Sequence, residues 1–115
     1  MEELKVLQSI FQTLSDYNRL GIIRLICEKE CSVGEIVRAT NLSQPLISHH
    51  LRVLKESGIL ETKRKGPFIF YYLRDKKLLD AINLFLDLFK NTDIKYKPGS
   101  KFCSGLIVTN YNHKT

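Results

Sequence analysis

Two helix starts separated by one tight joint constrain this chain more than any other feature. Ser32-Val33-Gly34-Glu35 has the form of a capping box, in which a serine hydroxyl takes an orphan amide and a glutamate reaches back. It predicts a short helix through about Thr40. Asn41-Leu42 leaves room only for a tight turn. Ser43 then caps a further helix, with Pro45 tolerated because first-turn amides have no helical acceptor. Ile47, Leu51 and Leu54 recur at spacings of four and three, so they share a buried face, and Gly58 supplies the stop.

The flanking segments can be read in the same way. Leu4, Leu7, Phe11 and Leu14 form the stripe of an amphipathic first helix, which Ser15 and Asp16 either stop or follow with a cap. A second helix is expected over about 17–28, apolar around most of its circumference and therefore buried on several sides. Leu60 to Lys65 and Phe68 to Leu73 read as strands flanking a Gly66-Pro67 tip, and both faces of the second strand are apolar or aromatic. Asp75 is expected to cap a last helix running to about Lys90, with Leu78, Leu79, Ile82, Phe85, Leu86 and Phe89 on a wide stripe. Beyond Asn91 lies Lys97-Pro98-Gly99-Ser100, a breaker, and then Leu106-Ile107-Val108, which is long enough for a short strand.

This order, α-α-α-α-β-β-α with a C-terminal tail, is that of a mainly α winged helix-turn-helix with a small β-hairpin. Residues 1–91 form the expected DNA-binding and dimerisation domain, and 92–115 the basic tail. In such a fold the helix after the turn enters the major groove, where base pairs are distinguishable by their donors and acceptors. The face opposite Ile47, Leu51 and Leu54 carries Ser43, Gln44, Pro45, Ser48 and His49, then Arg52 and Lys55. Gln and His suit base edges, while Ser43 and the helix N-terminus suit a phosphate. His50 shares the buried side and is read as a structural, hydrogen-bonded histidine. Lys63-Arg64-Lys65 places three cations beside the hairpin turn, suited to DNA backbone or minor groove.

Charge distribution points the same way. The 115-residue chain carries a net +6. Residues 41–74 hold six cations against two anions and 90–115 hold five against one, whereas 1–40 hold five against six and 75–89 two against three. Two basic blocks between near-neutral ones suit a polyanion. A chain of this length suits one domain. No apolar run approaches the length of a membrane span, the N-terminus lacks the order of a secretory signal, and three cysteines do not suggest a disulfide scaffold. The expectation is a reduced, cytoplasmic protein. No Cys-x-x-Cys, phosphate-binding glycine loop or His-Glu-x-x-His is present, so an enzyme is not expected. The competing class is a winged helix used as a protein–protein module; the polar helix face and the basic wing argue against it.

Ser15-Asp16-Tyr17-Asn18-Arg19-Leu20, Ser32-Val33-Gly34-Glu35-Ile36 and Leu42-Ser43-Gln44-Pro45-Leu46-Ile47-Ser48-His49-His50-Leu51 together resemble the ArsR/SmtB repressors. Lys63-Arg64-Lys65-Gly66 with Ile69, Tyr71 and Leu73 is similar to the wing of that family. The resemblance covers roughly residues 5–90. It implies a homodimeric repressor on a double-stranded operator with twofold-related half-sites, released by an inducer. It also implies a dimer interface on the first and last helices, here Leu4, Leu7, Phe11, Leu78, Ile82, Phe85 and Phe89.

The departures concern sensing. One family metal site uses Cys-x-Cys at the start of the short helix, where this chain has Ser32 and Gly34, with Cys31 one residue early. Another uses Asp and His along the last helix, but residues 75–90 contain no histidine. The thiols left to consider are Cys27, Cys31 and Cys103. Cys31 precedes a helix N-terminus, whose dipole favours thiolate, and the Cys31–Cys103 pair is the first candidate for soft-metal, arsenite or redox sensing. The alternatives are inert thiols and no inducer at all.

Overall fold

The computed structural model describes residues 1–90. The helices α1 (Glu2–Leu14), α2 (Tyr17–Ile26), α3 (Val33–Thr40), α4 (Gln44–Glu56) and α5 (Lys77–Phe89) accompany a small sheet of β1 (Cys31–Ser32), β2 (Leu60–Lys65) and β3 (Phe68–Leu73), on which α2, α3 and α4 pack. The winged helix-turn-helix order is as expected, with one addition. The two-residue β1 pairs with β3, Cys31 opposite Tyr71 and Ser32 opposite Phe70, so the sheet runs β1-β3-β2. β3 is thus the central strand, with Leu73 buried at its C-terminal end and Phe68 and Ile69 exposed near the hairpin tip.

Local chemistry sets most boundaries. The Asp16 carboxylate accepts from the Arg19 amide and starts α2, which ends two residues short of the expected limit, with Cys27 as its C-cap. The Ser32–Glu35 capping box is complete in both directions, and Asn41 closes α3 in the left-handed conformation with φ 62°. Ser43 caps α4 through the Leu46 amide, with Pro45 in the first turn as expected. Gly58 follows at φ 84°. At the hairpin tip Gly66 has φ 62° and proline follows it, the arrangement of a primed turn with glycine in first position. Asp75 does not stand directly at the N-cap of α5. Its carboxylate accepts from the Lys77 amide, and a single turn through Lys76 leads into the helix.

Ile22, Ile23, Ile26, Ile36, Ile47, Leu51, Leu54, Leu60 and Leu73 form the core together with Cys31. Ile47, Leu51 and Leu54 are completely inaccessible, so α4 is anchored along its whole length. Among the described residues no helix is long and apolar enough to cross a membrane. Residues 91–115, with Cys103, the basic tail and the expected short strand, lie outside the described residues.

Candidate nucleic-acid interface

With one face of α4 in the core, the opposite face is free. Ser43, Gln44, Pro45, Ser48, His49, Arg52 and Lys55 are all exposed on it. Arg52 donates to Nδ1 of His49 at 3.2 Å. A guanidinium can only donate, so a neutral His49 ring carries its proton on Nε2 and presents a donor outward. Such a donor fits a guanine O6 or N7. Leu46 is also exposed in the first turn of α4, a position sequence reading passed over. It lies off the Ile47–Leu51–Leu54 stripe, and that displacement was the available signal.

His50 lies on the buried side, as expected. Its Nδ1 faces Nη1 of Arg19 at 3.3 Å, and Arg19 Nε also donates to the Thr13 carbonyl at 2.7 Å. Nε2 has no hydrogen-bond partner and stands 4.0 Å from Asp16 Oδ1. Burial pushes the ring below its ordinary value of 6.5; Asp16 pulls it back up, while Arg19 and His49 add to the lowering. The folded protein therefore holds His50 neutral while the unfolded chain takes up a proton near pH 6.5. Stability contributed by the neutral ring is present above pH 6.5 and declines as pH falls from there to the lowered folded value, by at most about 1.4 kcal/mol per pH unit. Urea unfolding between pH 8 and pH 5 should show this slope in wild type and a flatter one in His50→Gln. Equal slopes would remove His50 as its source.

The wing cations are not equivalent. Lys63 and Lys65 project from one side of β2, and both form ion pairs with Glu30, from the loop between α2 and β1. Lys63 Nζ also lies 5.5 Å from the centroid of Tyr72, and Lys65 Nζ 5.3 Å from that of Phe70. Hydrogen bonds from Lys63, then Lys65, hold the Glu30 carboxyl below its ordinary value of 4.5. Arg64, between them in the strand, is exposed on the opposite side. Alternation along the strand predicts this division, but Glu30, 35 residues from Lys65, could not be paired with the wing from sequence.

The residues expected at a dimer interface divide too. Leu4, Leu7 and Phe11 are exposed on α1, and Phe85 and Phe89 on α5. The Phe11 and Phe85 rings meet edge to face at 6.0 Å within one protomer. Leu78 and Ile82 pack partly against the protomer's own core. Val6, Ile10, Leu84 and Leu88 are exposed beside the predicted stripes and were not anticipated.

The thiolate expectation for Cys31 is overturned. Its side chain is buried in the core, and Sγ donates to the Lys29 carbonyl at 3.4 Å. Desolvation, then the nearby Glu35 charge, push the thiol up, the opposite of what a helix dipole alone would do. Cys27 is half-buried with Sγ donating to the Arg24 carbonyl at 2.9 Å, and Cys103 lies outside the described residues. Among the described residues no three His, Cys, Asp or Glu side chains gather as a metal would need. Ser32, where a family ligand would stand, spends its hydroxyl on the α3 cap. The described residues therefore do not fit either family metal site.

A model described as "Bacterial regulatory protein, arsR family" matches residues 16–62. Over 87 residues the chain is 36% identical to the transcriptional repressor SdpR of Bacillus subtilis (strain 168), covering 76% of this chain and 97% of that protein. Among solved structures it is similar to the transcriptional repressor BigR from Xylella fastidiosa, with TM-score 0.67 and 35% identity over 76% of this chain and 90% of that one. A homodimeric winged helix-turn-helix DNA-binding domain from Mycobacterium bovis shares the fold with TM-score 0.71 at 22% identity, over 83% and 92% of the two chains. With these matches over most of the described fold, the chain belongs to the arsR family of bacterial regulatory proteins.

Proposed function

We propose that this protein is a homodimeric transcriptional repressor acting in the cytoplasm, which binds two twofold-related half-sites of a double-stranded DNA operator. The observation that carries the reading is the division of α4: one face sealed in the core, the other bearing Gln44, Ser48, His49 and Arg52 toward solvent beside a cationic wing. Gln44 and His49 read base edges, and Leu46 offers an apolar contact to a thymine methyl. Ser43, Pro45 and the first turn of α4 sit against a phosphate, with Lys55 further along the backbone. Repression rather than activation is supported by the relatives named repressors, and a dimer by the apolar faces of α1 and α5. No enzymatic step is part of this function, because the family is one of regulators.

Binding to DNA from the protein's own upstream region tests the reading. Gln44→Ala or His49→Ala should cost about 1–3 kcal/mol on the operator and much less on random duplex. Equal losses on both would mean that these side chains touch only backbone.

The wing gives a second measurement. Arg64→Ala should flatten the dependence of log affinity on log salt by about one unit, on every sequence alike. Lys63 and Lys65 must exchange Glu30 for phosphate, so each should contribute less than Arg64 does. Glu30→Gln should then strengthen binding at low salt and steepen the slope by up to about two units. An unchanged slope in Glu30→Gln would show that the ion pairs persist on DNA or that these lysines never reach it.

A further inference from the structure

Between α2 and α5 lies a cavity of about 250 Å³ lined by Tyr17, Leu20, Ile23, Leu79, Ile82 and Leu86, with Arg24 set in its wall. Arg24 is only 4% exposed. Its Nη2 donates to Oδ1 of Asn83 at 3.3 Å, and among the described residues no carboxylate forms an ion pair with it. Burying a charge without a charged partner is costly, and one neutral amide oxygen does little to offset it. The guanidinium has five donors in a planar fork, a shape that matches a carboxylate in two parallel hydrogen bonds.

We propose that this cavity is a binding site for a small amphipathic carboxylate, an aromatic or short branched acid, with Arg24 as its polar anchor. Cavity size supports a small molecule: about 150 Å³ lined by aliphatic side chains already accommodates benzene, so the present volume suits a ring with a short acidic arm. A helix, at about 10–12 Å across, does not enter such a space, which argues against a second copy of the chain. Charge argues against the chain's own C-terminal segment. Residues 92–115 carry Lys95, Lys97, Lys101 and Lys114 against the single acid Asp93, and would bring like charge to Arg24. A monocarboxylate supplies what the site lacks, one negative charge with an apolar body.

Calorimetric titration of the full-length protein with benzoate, phenylacetate and phenylacetamide tests this. Saturable binding of at least one acid is expected. The uncharged amide should bind about 10–100-fold more weakly than phenylacetate, the value of a hydrogen bond to a charged group. Arg24→Gln should lose the preference for the acid. Ile82→Phe, which leaves Arg24 in place and fills the cavity, should lose binding altogether while the protein keeps its helical circular dichroism. Absence of binding by either acid would overturn the proposal, as would acid and amide binding equally, or undiminished binding by folded Ile82→Phe protein.

Discussion

Aspartate at both Leu84 and Leu88 should yield a folded monomer that binds its operator at least about 10²-fold more weakly, since linked half-site binding typically contributes 10²–10⁴-fold. These two side chains are 59% and 63% exposed in the protomer, so their replacement costs little within one chain. The surface they belong to is extensive. Leu4, Val6, Leu7, Ile10 and Phe11 of α1 and Leu84, Phe85, Leu88 and Phe89 of α5 are all exposed, more than monomeric proteins usually leave to water. Each such side chain is worth roughly 1.5–3 kcal/mol when covered. A twofold axis through this surface would place every substitution in the interface twice. Leu84 and Leu88 make the better variant than Phe85, whose ring also packs on Phe11 within the protomer. Light scattering gives the mass and circular dichroism the fold. A Leu84→Asp/Leu88→Asp protein that remains a dimer would locate the interface elsewhere.

The second large effect separates the two faces of α4. Leu51→Ala removes a completely buried side chain shared by the helix-turn-helix and the sheet, and should destabilise the fold by about 2–5 kcal/mol. In a domain of this size that corresponds to a fall in Tm of roughly 10 °C or more. Ser48→Ala, three residues earlier and exposed, should leave Tm nearly unchanged, within about 0.5 kcal/mol, yet weaken the operator complex. Below its melting point, Leu51→Ala should still discriminate operator from random DNA. Loss of discrimination without loss of stability in Leu51→Ala would contradict the assignment of its face.

Which features were legible beforehand follows from how far apart their causes lie. The bounds of α4 and the hairpin were visible because each end carries its own chemical stop: the Ser43 cap, Gly58 beyond the last turn, and Gly66-Pro67 at the tip. The capping box at Ser32 and Glu35 is likewise complete within four residues. The strand β1 was missed because two residues contain no pattern, and their pairing is decided by Phe70 and Tyr71, far along the chain. The same pairing buries Cys31 and reverses the expectation for its thiol. Glu30 escaped notice for a similar reason, since its role depends on where the sheet brings Lys63 and Lys65. On α5 the stripe was read correctly as wide, but periodicity alone cannot say which part of a wide stripe faces the protomer's own core. Leu78 and Ile82 do, whereas Phe85 and Phe89 are exposed.

The sheet order carries one more consequence. β2 is an outer strand six residues long, with no neighbour on its far side among the described residues. An unpaired edge of that length is a template on which another chain can add a strand. Glu61, Lys63, Arg64 and Lys65 occupy it, and such a charged edge disfavours the addition of a further strand. The residues proposed to greet a nucleic acid therefore also keep the wing from self-association. A variant stripped of all three cations should be prone to clump as well as weak on DNA. Its solubility over time needs to be followed before any loss of affinity is attributed to missing phosphate contacts.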